Sequence, residues 1–398
     1  MSDAARAAEA AARASYGRLV GILAARSRDI AAAEDALADA FAKALVTWPA
    51  DGVPDNPDAW LLTTARNRLT DTQRRDARLD PIEDAPEANM PSPPEFEDHR
   101  VGLMFACAHP AIDRAIHTPL MLQSVLGVEA RDLARAFALG EAAMAQRLVR
   151  AKAKIKGARI PFTLPNADQL PPRRDAVCEA IYGAWSLDWL QAGDALGMEA
   201  FYLAQLVARL EPEHPEALGL VAMIGFGLSR RSARVQDGVL VPLHAQDTAL
   251  WDRELIDGAA HTLGRARGLG QIGRFQLEAA IQSVHAHRAT TGTTDWHALQ
   301  HLTEALWRLF PSLGAGVARA VASAEAQENP ALGLYQLSEL PAARVADFQP
   351  FWAAQAHLLD QSDRAADALD AYSRAIQLSS DAPSRAYLTG RRDKLGVA

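Results

Sequence analysis

The sequence predicts an all-α protein in several parts, and three observations support this prediction. Apolar residues recur three and four positions apart through most of the 398-residue chain, which is helical spacing. Hydrophobic residues make up 49% and charged residues 23%, as in ordinary globular proteins. Two segments break the helical pattern, because 79–98 holds five prolines and seven acids, and 157–172 holds four prolines. These segments divide the chain into predicted domains 1–78, 99–160 and 173–398, with 79–98 as a linker.

The first block contains a predicted helix with one acidic side. Asp29 is a plausible N-cap, apolar residues follow at helical spacing, and Pro49 is expected to end the helix. Glu34, Asp35 and Asp39 gather on the side turned to solvent. The pattern therefore predicts an amphipathic helix with an acidic outer surface.

The next predicted helix begins at Asn56 and Pro57, an N-cap followed by proline at the first helical position. Its buried face is predicted to hold Leu61, Ala65 and Leu69. A second face is polar and ends in basic residues. Such a stripe can follow a phosphate backbone while an amide contacts a base, or it can be a solvated face without a partner. Its members are Asn67, Asp71, Arg74 and Arg78, flanked by Arg68 and Arg75.

A basic segment near residue 150 stands out from the net charge of −8 of the whole chain. Arg147, Arg150 and Lys154 recur at i, i+3 and i+7, beside an apolar face formed by Met144, Leu148, Ala151 and Ile155. A shorter helical pattern precedes it, and Gly140 suits a tight turn between the two. This spacing predicts a helix-turn-helix, with a solvated basic face as the alternative.

Charge is distributed unevenly along the chain. Residues 1–164 hold 21 Lys and Arg against 22 Asp and Glu, whereas residues 165–398 hold 20 against 27. Any contact with nucleic acid is therefore expected in the first 164 residues. The N-terminus lacks an apolar signal core and no window resembles a membrane helix, so we expect a cytoplasmic protein with no membrane partner.

Catalytic motifs are weak. His297, His301 and Glu304 share one helical face and form a possible metal constellation, but they can equally be packing or surface residues. The sequence has no Gly-rich phosphate loop or nucleophile elbow. We therefore expect no enzyme activity, no cofactor and no metal. The alternative is a helical adaptor or an enzyme domain fused to a helix-turn-helix regulator.

The order of these motifs resembles that of bacterial RNA polymerase sigma factors of the extracytoplasmic-function type. The resemblance rests on EDALADAFAKAL, AWLLTTARNRLTDTQRR and LARAFALGEAAMAQRLVRAKAKI, which follow one another across residues 1–160. It implies reversible binding to core RNA polymerase and recognition of promoter DNA, with 79–98 threading a polymerase channel. The implied polymerase contacts are Glu34, Asp35, Asp39 and Phe41. The implied minus-ten readers are Asn67, Arg68, Asp71, Arg74 and Arg75. The implied minus-thirty-five readers are Glu141, Ala143, Met144, Gln146, Arg147 and Arg150, with Lys152 and Lys154 near phosphates.

Later motifs, such as AQDTALWDRELI and LEAAIQSVHAHRATTGTTDW, resemble a subgroup with a C-terminal tetratricopeptide-like domain. Two features depart from that subgroup: Ala108 follows Cys107 where two adjacent cysteines are usual, and YGAWSLDWLQAG differs from the usual start of the C-terminal domain. Residues 352–375 have tetratricopeptide spacing by themselves, and stacked helix pairs offer a concave surface for a protein partner. We expect this domain to be required for full activity, with built-in inhibition as the competing hypothesis.

Overall fold

The computed structural model describes residues 3–79, 98–191 and 195–396. The all-α prediction is confirmed: 78% of the chain is helical, and the described residues form nineteen α-helices with almost no sheet. Most of the predicted linker 79–98, from residue 80 to residue 97, lies outside the described residues.

The chain divides into two compact units, residues 1–187 with 194–203 and residues 188–193 with 204–398. The first unit is built from α1 Asp3–Ser27, α2 Ile30–Asp51, α3 Pro57–Leu79, α4 His99–Cys107, α5 Arg114–Leu126, α6 Ala130–Ala136, α7 Glu141–Gly157 and most of α8 Leu170–Gln191. Helix α9, Ala195–Leu210, begins in the first unit and ends in the second.

The second unit continues with ten helices and one hairpin. Its helices are α10 Pro215–Leu228, α11 Arg253–Gly268, α12 Arg274–Thr291, α13 Trp296–Leu309, α14 Leu313–Ala326, α15 Pro330–Ser338, α16 Ala342–Val345, α17 Gln349–Gln361, α18 Ala365–Leu378 and α19 Ala382–Gly396. The antiparallel strands are β1 Val235–Gln236 and β2 Val239–Leu240. Asp237 and Gly238, with φ of 51° and 77°, make the two-residue turn that suits this hairpin.

Capping chemistry sets the first helix boundaries. The Asp29 carboxylate accepts from the N–H of Ala32 at 3.1 Å, and Asn56 Oδ1 accepts from the N–H of Ala59 at 3.0 Å, so both predicted N-caps are confirmed. The prediction that Pro49 ends α2 is wrong, because the helix continues to Asp51. Pro49 is accommodated in the last turn of α2, and Gly52 ends the helix by donating its N–H to the Trp48 carbonyl at 3.0 Å.

Helix α1 packs closely on the helices that follow the undescribed segment. A methyl group on Gly17 would overlap the carbonyl oxygen of Val125 at the end of α5. A methyl group on Gly21 would lie 3.2 Å from the backbone nitrogen of Arg100 in α4. Glycine at these two positions therefore lets α1 contact α4 and α5 backbone to backbone.

Helix α8 belongs to the core of the first unit although it follows the predicted boundary at 173. Arg173 Nε donates to the Phe105 carbonyl of α4 at 3.0 Å. Val177 and Ile181 are fully buried. Because these residues complete the packing of α4 and α5, the compact unit extends beyond the boundary that proline content predicts.

The second unit is built from antiparallel helix pairs. In the pair α17 and α18, small residues Ala356, Ala368 and Ala375 are fully buried, and Tyr372 fills the remaining space at 2% exposure. Small side chains let the helix axes approach, and the aromatic ring supplies the buried apolar area. Small residues buried between two packed helices agree with the spacing of residues 352–375, and the tetratricopeptide-like domain itself stays a prediction.

Candidate nucleic-acid and polymerase interface

Helices α6 and α7 are joined by the four residues 137–140. The turn contains Ala138 in the left-handed region, with φ of 51°, whereas Gly140 is the extended N-cap of α7 with φ of −69°. The left-handed conformation therefore falls on an alanine, not on the glycine that the sequence suggests for the tight turn. Leu139 N–H donates to the Ala134 carbonyl at 2.8 Å and closes the turn.

The apolar face of α7 is buried as predicted. Leu148, Ala151 and Ile155 are at most 7% exposed, and Met144 is fully buried. The expectation that Met144 faces the DNA groove is therefore wrong in this structure, because its side chain completes the face that packs on the rest of the unit. A buried thioether in such a position contributes to packing instead of recognition.

The opposite side of α7 is exposed and basic. Three cations line a cleft of about 570 Å³, namely Arg147, Arg150 and Lys154, and its other wall holds Asp113 and Ile116 at and just before the start of α5. None of the ion pairs between described residues uses these three cations. Because the cleft holds three cations and one acid, Asp113, its net charge is positive and it produces a local positive potential on an otherwise acidic chain. Glu141, Ala143 and Gln146 are also exposed, nearer the N-terminus of the helix.

Lys152 has different surroundings from its basic neighbours. Its ammonium group lies 2.5 Å from Glu34 Oε2 on α2, and the two side chains are only 9% and 17% exposed. One turn further on, Lys156 Nζ lies 2.8 Å from the Asp29 carboxylate. Lys152 was expected to contact phosphate and Glu34 to contact polymerase. In this conformation neither side chain is available for such a contact, because the two charges neutralise each other.

These ion pairs join α7 to α2, the first in the interior of the unit and the second at its surface, where the Lys156 side chain is 65% exposed. Cys107 lies beside the Lys152 and Glu34 pair and is fully buried. Burial raises the pKa of the Cys107 thiol to about 12, so the group remains protonated and unreactive. The cysteine is therefore a packing residue next to the ion pair.

The polar stripe on α3 faces solvent. Asn67, Arg68, Asp71 and Arg74 are exposed, and Leu61, Ala65 and Leu69 are buried as predicted. The side chain of Arg75 lies outside the described residues.

Arg68 is not isolated on this stripe, because its Nε donates to the Asp39 carboxylate of α2 at 2.6 Å. One residue of the predicted polymerase surface thus contacts one residue of the predicted minus-ten surface. Both side chains are about half exposed, so the pair is weak and readily exchanged.

The outer face of α2 is partly apolar as well as acidic. Asp35 and Asp39 are exposed, and Phe41 is half-buried. Leu45 and Val46 continue the exposed part of the helix, with 51% and 76% of their surfaces open to solvent. The predicted binding surface did not include these two residues. The available signal was a pair of apolar residues directly after the buried Ala44. Exposed apolar residues beside acids are typical of a protein-binding surface.

The possible metal constellation on α13 is not assembled as a site. Glu304 accepts from Arg308 and from Arg319, both at 2.6 Å. Over the described part of the chain, no three histidine, cysteine or acidic side chains are grouped closely enough to hold a metal ion. Within the same residues, no helix is long and apolar enough to cross a membrane.

Comparisons with known proteins match two segments of the chain to family models, and they match nearly its whole length to one relative. Residues 12–79 match sigma-70 region 2, and residues 173–267 match a family of unknown function, DUF6596. The chain is 34% identical over 388 residues to Uncharacterized protein R00370 of Rhizobium meliloti (strain 1021), covering 93% of this chain and 91% of that protein. No solved structure matches. Helices α2 and α3 lie inside the segment that matches sigma-70 region 2, which supports a sigma factor of the sigma-70 family, and over nearly its whole length the chain belongs to one family with the Rhizobium protein.

Proposed function

We propose that this chain is a sigma factor of the extracytoplasmic-function type, which brings core RNA polymerase to particular promoters. The observation that carries the proposal is the exposed basic stripe of α7, located outside the sigma-70 region 2 match but in the same compact unit. Chemistry belongs to the polymerase, so the chain needs no catalytic residue and no cofactor. It acts in the cytoplasm, where polymerase and promoter DNA are found.

In this proposal, α6 and α7 form a helix-turn-helix that reads the minus-thirty-five element. A recognition helix places its N-terminal residues on base edges in the major groove. The exposed side chains in that part of α7 are Glu141, Ala143 and Gln146. The cations further along the helix then contact the phosphates and fix the register.

The exposed stripe of α3 handles the minus-ten element. Asn67 offers an amide with two donors and an acceptor, and Arg74 supplies a cation one turn after Asp71. Recognition of a melted strand uses stacking and a positive groove. Arg68 takes part by exchanging its contact with Asp39 for a phosphate, which the exposure of this pair permits.

Helix α2 docks on core polymerase through its outer face. Asp35 and Asp39 supply negative charge for steering, and Leu45 and Val46 supply apolar area that association removes from water. This division of roles fits an interface with a small apolar centre and a charged rim.

The ion pairs between α7 and α2 define a closed form of the first unit. Lys152 with Glu34 and Lys156 with Asp29 hold the DNA-reading helix against the docking helix. We propose that reading two promoter elements at once requires these contacts between α7 and α2 to open. The closed form is therefore the resting form, and binding of polymerase and promoter supplies the free energy that opens it.

The second unit modulates this activity as a tetratricopeptide-like domain. Support comes from its antiparallel helix pairs and from the small buried residues Ala356, Ala368 and Ala375 between α17 and α18. Stacked helix pairs present an extended surface for a protein partner.

Promoter binding by α7 variants tests the proposal. With reconstituted holoenzyme and a promoter selected from a library, Arg147→Ala and Arg150→Ala should each weaken binding. A lost phosphate contact should lower the salt slope by about one unit. A lost guanine contact should remove about 1–3 kcal/mol of discrimination at one base pair. Arg344→Ala, an exposed arginine of the second unit, is the matched control. Unchanged promoter occupancy in both α7 variants would contradict the assignment.

A further inference from the structure

The second unit contains a buried arginine whose charge has no acidic partner. Arg230, just after α10, is 4% exposed. Its Nη2 donates to Gln282 Oε1 on α12, but its Nε and Nη1 are buried and make no hydrogen bond. The neighbouring charge that acts on it is that of Arg288, which is another cation. A buried guanidinium in this state is costly unless an anion completes it.

Further unsatisfied groups lie at the same place in the fold. Asp252 N–H donates to the Ser229 carbonyl at 2.8 Å, which brings Trp251 beside Arg230. The indole Nε1–H of Trp251 is buried and makes no hydrogen bond. The guanidinium of Arg288 lies 5.1 Å from the centre of the Trp251 ring. Unpartnered donors from two separate segments, the Arg230 guanidinium and the Trp251 indole, therefore lie in the same part of the fold, and the Arg288 cation acts on both residues.

The basic character of the cluster extends along α12. Gln282, His285 and Arg288 follow one another at intervals of three residues, so they lie along one side of the helix. Burial first, and then the charges of Arg230 and Arg288, lower the pKa of His285 to about 3. The imidazole is therefore neutral in this state, as expected for a histidine held beside two cations without an anion.

We propose that the second unit binds a small oxyanion, a carboxylate or a phosphate group, between Arg230, Trp251 and His285. The free N–H groups of Arg230 and Trp251 donate to its oxygens, and its charge compensates the two arginines. Carboxylates and phosphates share this chemistry, because both offer several acceptor oxygens around one negative centre. The site is independent of the DNA-reading and polymerase-docking surfaces, and it makes the second unit responsive to a small metabolite anion.

Access to the site involves the segment 243–251. Arg288 donates to the carbonyls of Leu243 and Gln246 at 2.9 and 2.7 Å, and Trp251 packs over its guanidinium. Because the free nitrogens of Arg230 are closed to solvent, the anion enters when this segment moves. Occupancy should therefore change the hydrogen exchange of residues 243–251.

The test is binding of two probes to the full chain, sodium phosphate and sodium succinate, with sodium chloride at equal ionic strength as reference. At least one probe should raise the unfolding temperature saturably, by about 5 °C at one hundred times its Kd. The probe that does so identifies whether a phosphate or a carboxylate is preferred. Titration calorimetry should give one site per chain, and hydrogen exchange should change within 243–251.

Variants separate this site from unspecific salt effects. Arg230→Gln should abolish the saturable shift of the unfolding temperature. Arg230→Lys keeps the positive charge but has fewer hydrogen-bond donors, so it should weaken binding at least tenfold. Arg344→Gln, at an exposed arginine of the same unit, should bind as the wild type does. If neither probe shifts the wild type saturably, the proposal is wrong, and this result does not depend on whether a variant folds. Equal binding by Arg230→Gln would also overturn it.

Discussion

Lys152 and Lys154 lie two positions apart on α7, and their surroundings differ completely. Lys154 is exposed in the basic cleft, whereas Lys152 points into the unit and pairs with Glu34. A helix turns by about 200° over two residues, so lysines two positions apart in one basic run point to opposite sides of the helix. At the scale of single residues, helical direction and burial decide which cations are available to DNA.

Removing the ammonium of Lys152 should destabilise the first unit. Lys152→Met leaves the Glu34 carboxylate largely buried without its partner, which we expect to cost about 3 kcal/mol of unfolding free energy. The double variant Glu34→Gln, Lys152→Met should recover much of that loss. Lys154→Met, two residues along the same helix, should change stability by less than about 0.5 kcal/mol. Urea unfolding measures all three, and a Lys152→Met chain as stable as the wild type would show that the pair does not form in solution.

His285 should make the second unit less stable in acid. Its folded pKa of about 3, lowered by burial and by Arg230 and Arg288, lies below the unfolded value of about 6.5. The unfolded chain therefore binds the extra proton as pH falls below 6.5, and folding stability decreases towards pH 3. Between pH 7 and pH 5 this residue should account for about 2 kcal/mol.

The measurement for His285 is urea unfolding at pH 7 and pH 5 in chloride buffer without oxyanions. His285→Gln should lose less stability than the wild type over this interval. His301→Gln, at an exposed histidine, is the control and should behave as the wild type does. An identical pH dependence in His285→Gln and wild type would mean that His285 is not held neutral in the folded chain.

At the scale of helices, α2 has a mixed outer surface that fits association with a protein. Acidic residues occupy its first half and exposed apolar residues its second half. Asp35→Arg changes a rim charge without touching the buried face, so the fold should be retained. Binding of core polymerase should slow, because steering is lost and like charges are brought together.

Surface-captured core polymerase provides the measurement for Asp35→Arg, with Asp55→Arg as a matched exposed acid outside α2. The association rate of Asp35→Arg should fall at low salt and approach that of wild type as salt screens the charges. Wild-type association by Asp35→Arg at low salt would exclude α2 as the docking helix.

Helix positions and buried faces were largely predictable because they depend on local chemistry. Asp29 and Asn56 cap the helices that they were predicted to cap, and Leu61 and Leu148 lie on the predicted buried faces. The pairing of Lys152 with Glu34 was not predictable, because the two residues are 118 positions apart and only tertiary packing brings them together. For the same reason the sequence identified the basic stripe but not which of its lysines is buried.

At the scale of the whole molecule, the division into units determines where the chain can be cut. Helix α8 completes the first unit through Arg173, Val177 and Ile181, so a chain ending at residue 165 loses part of a core. A chain ending at residue 210 keeps all the described residues of the first unit and the whole of α9. The shorter chain is therefore unsuitable for deciding what the second unit does.

Residues 1–210 should direct fewer transcripts than the full chain at equal concentration. The second unit is part of the same chain as the first, so its effect is that of a tethered module at high local concentration. Its acidic composition makes direct binding to DNA unfavourable. Transcription in a purified system measures the difference. More transcripts from residues 1–210 than from the full chain would instead establish built-in inhibition.

The most direct test of the central claim is run-off transcription with purified bacterial core polymerase on a promoter library. The full chain should produce discrete transcripts that core polymerase alone does not make. Their start sites should lie downstream of two sequence elements at a fixed spacing, because α3 and α7 are proposed to read one element each. A housekeeping sigma factor serves as the control that the core is active. With that control positive, transcripts no more abundant or specific than those of core polymerase alone would contradict the account.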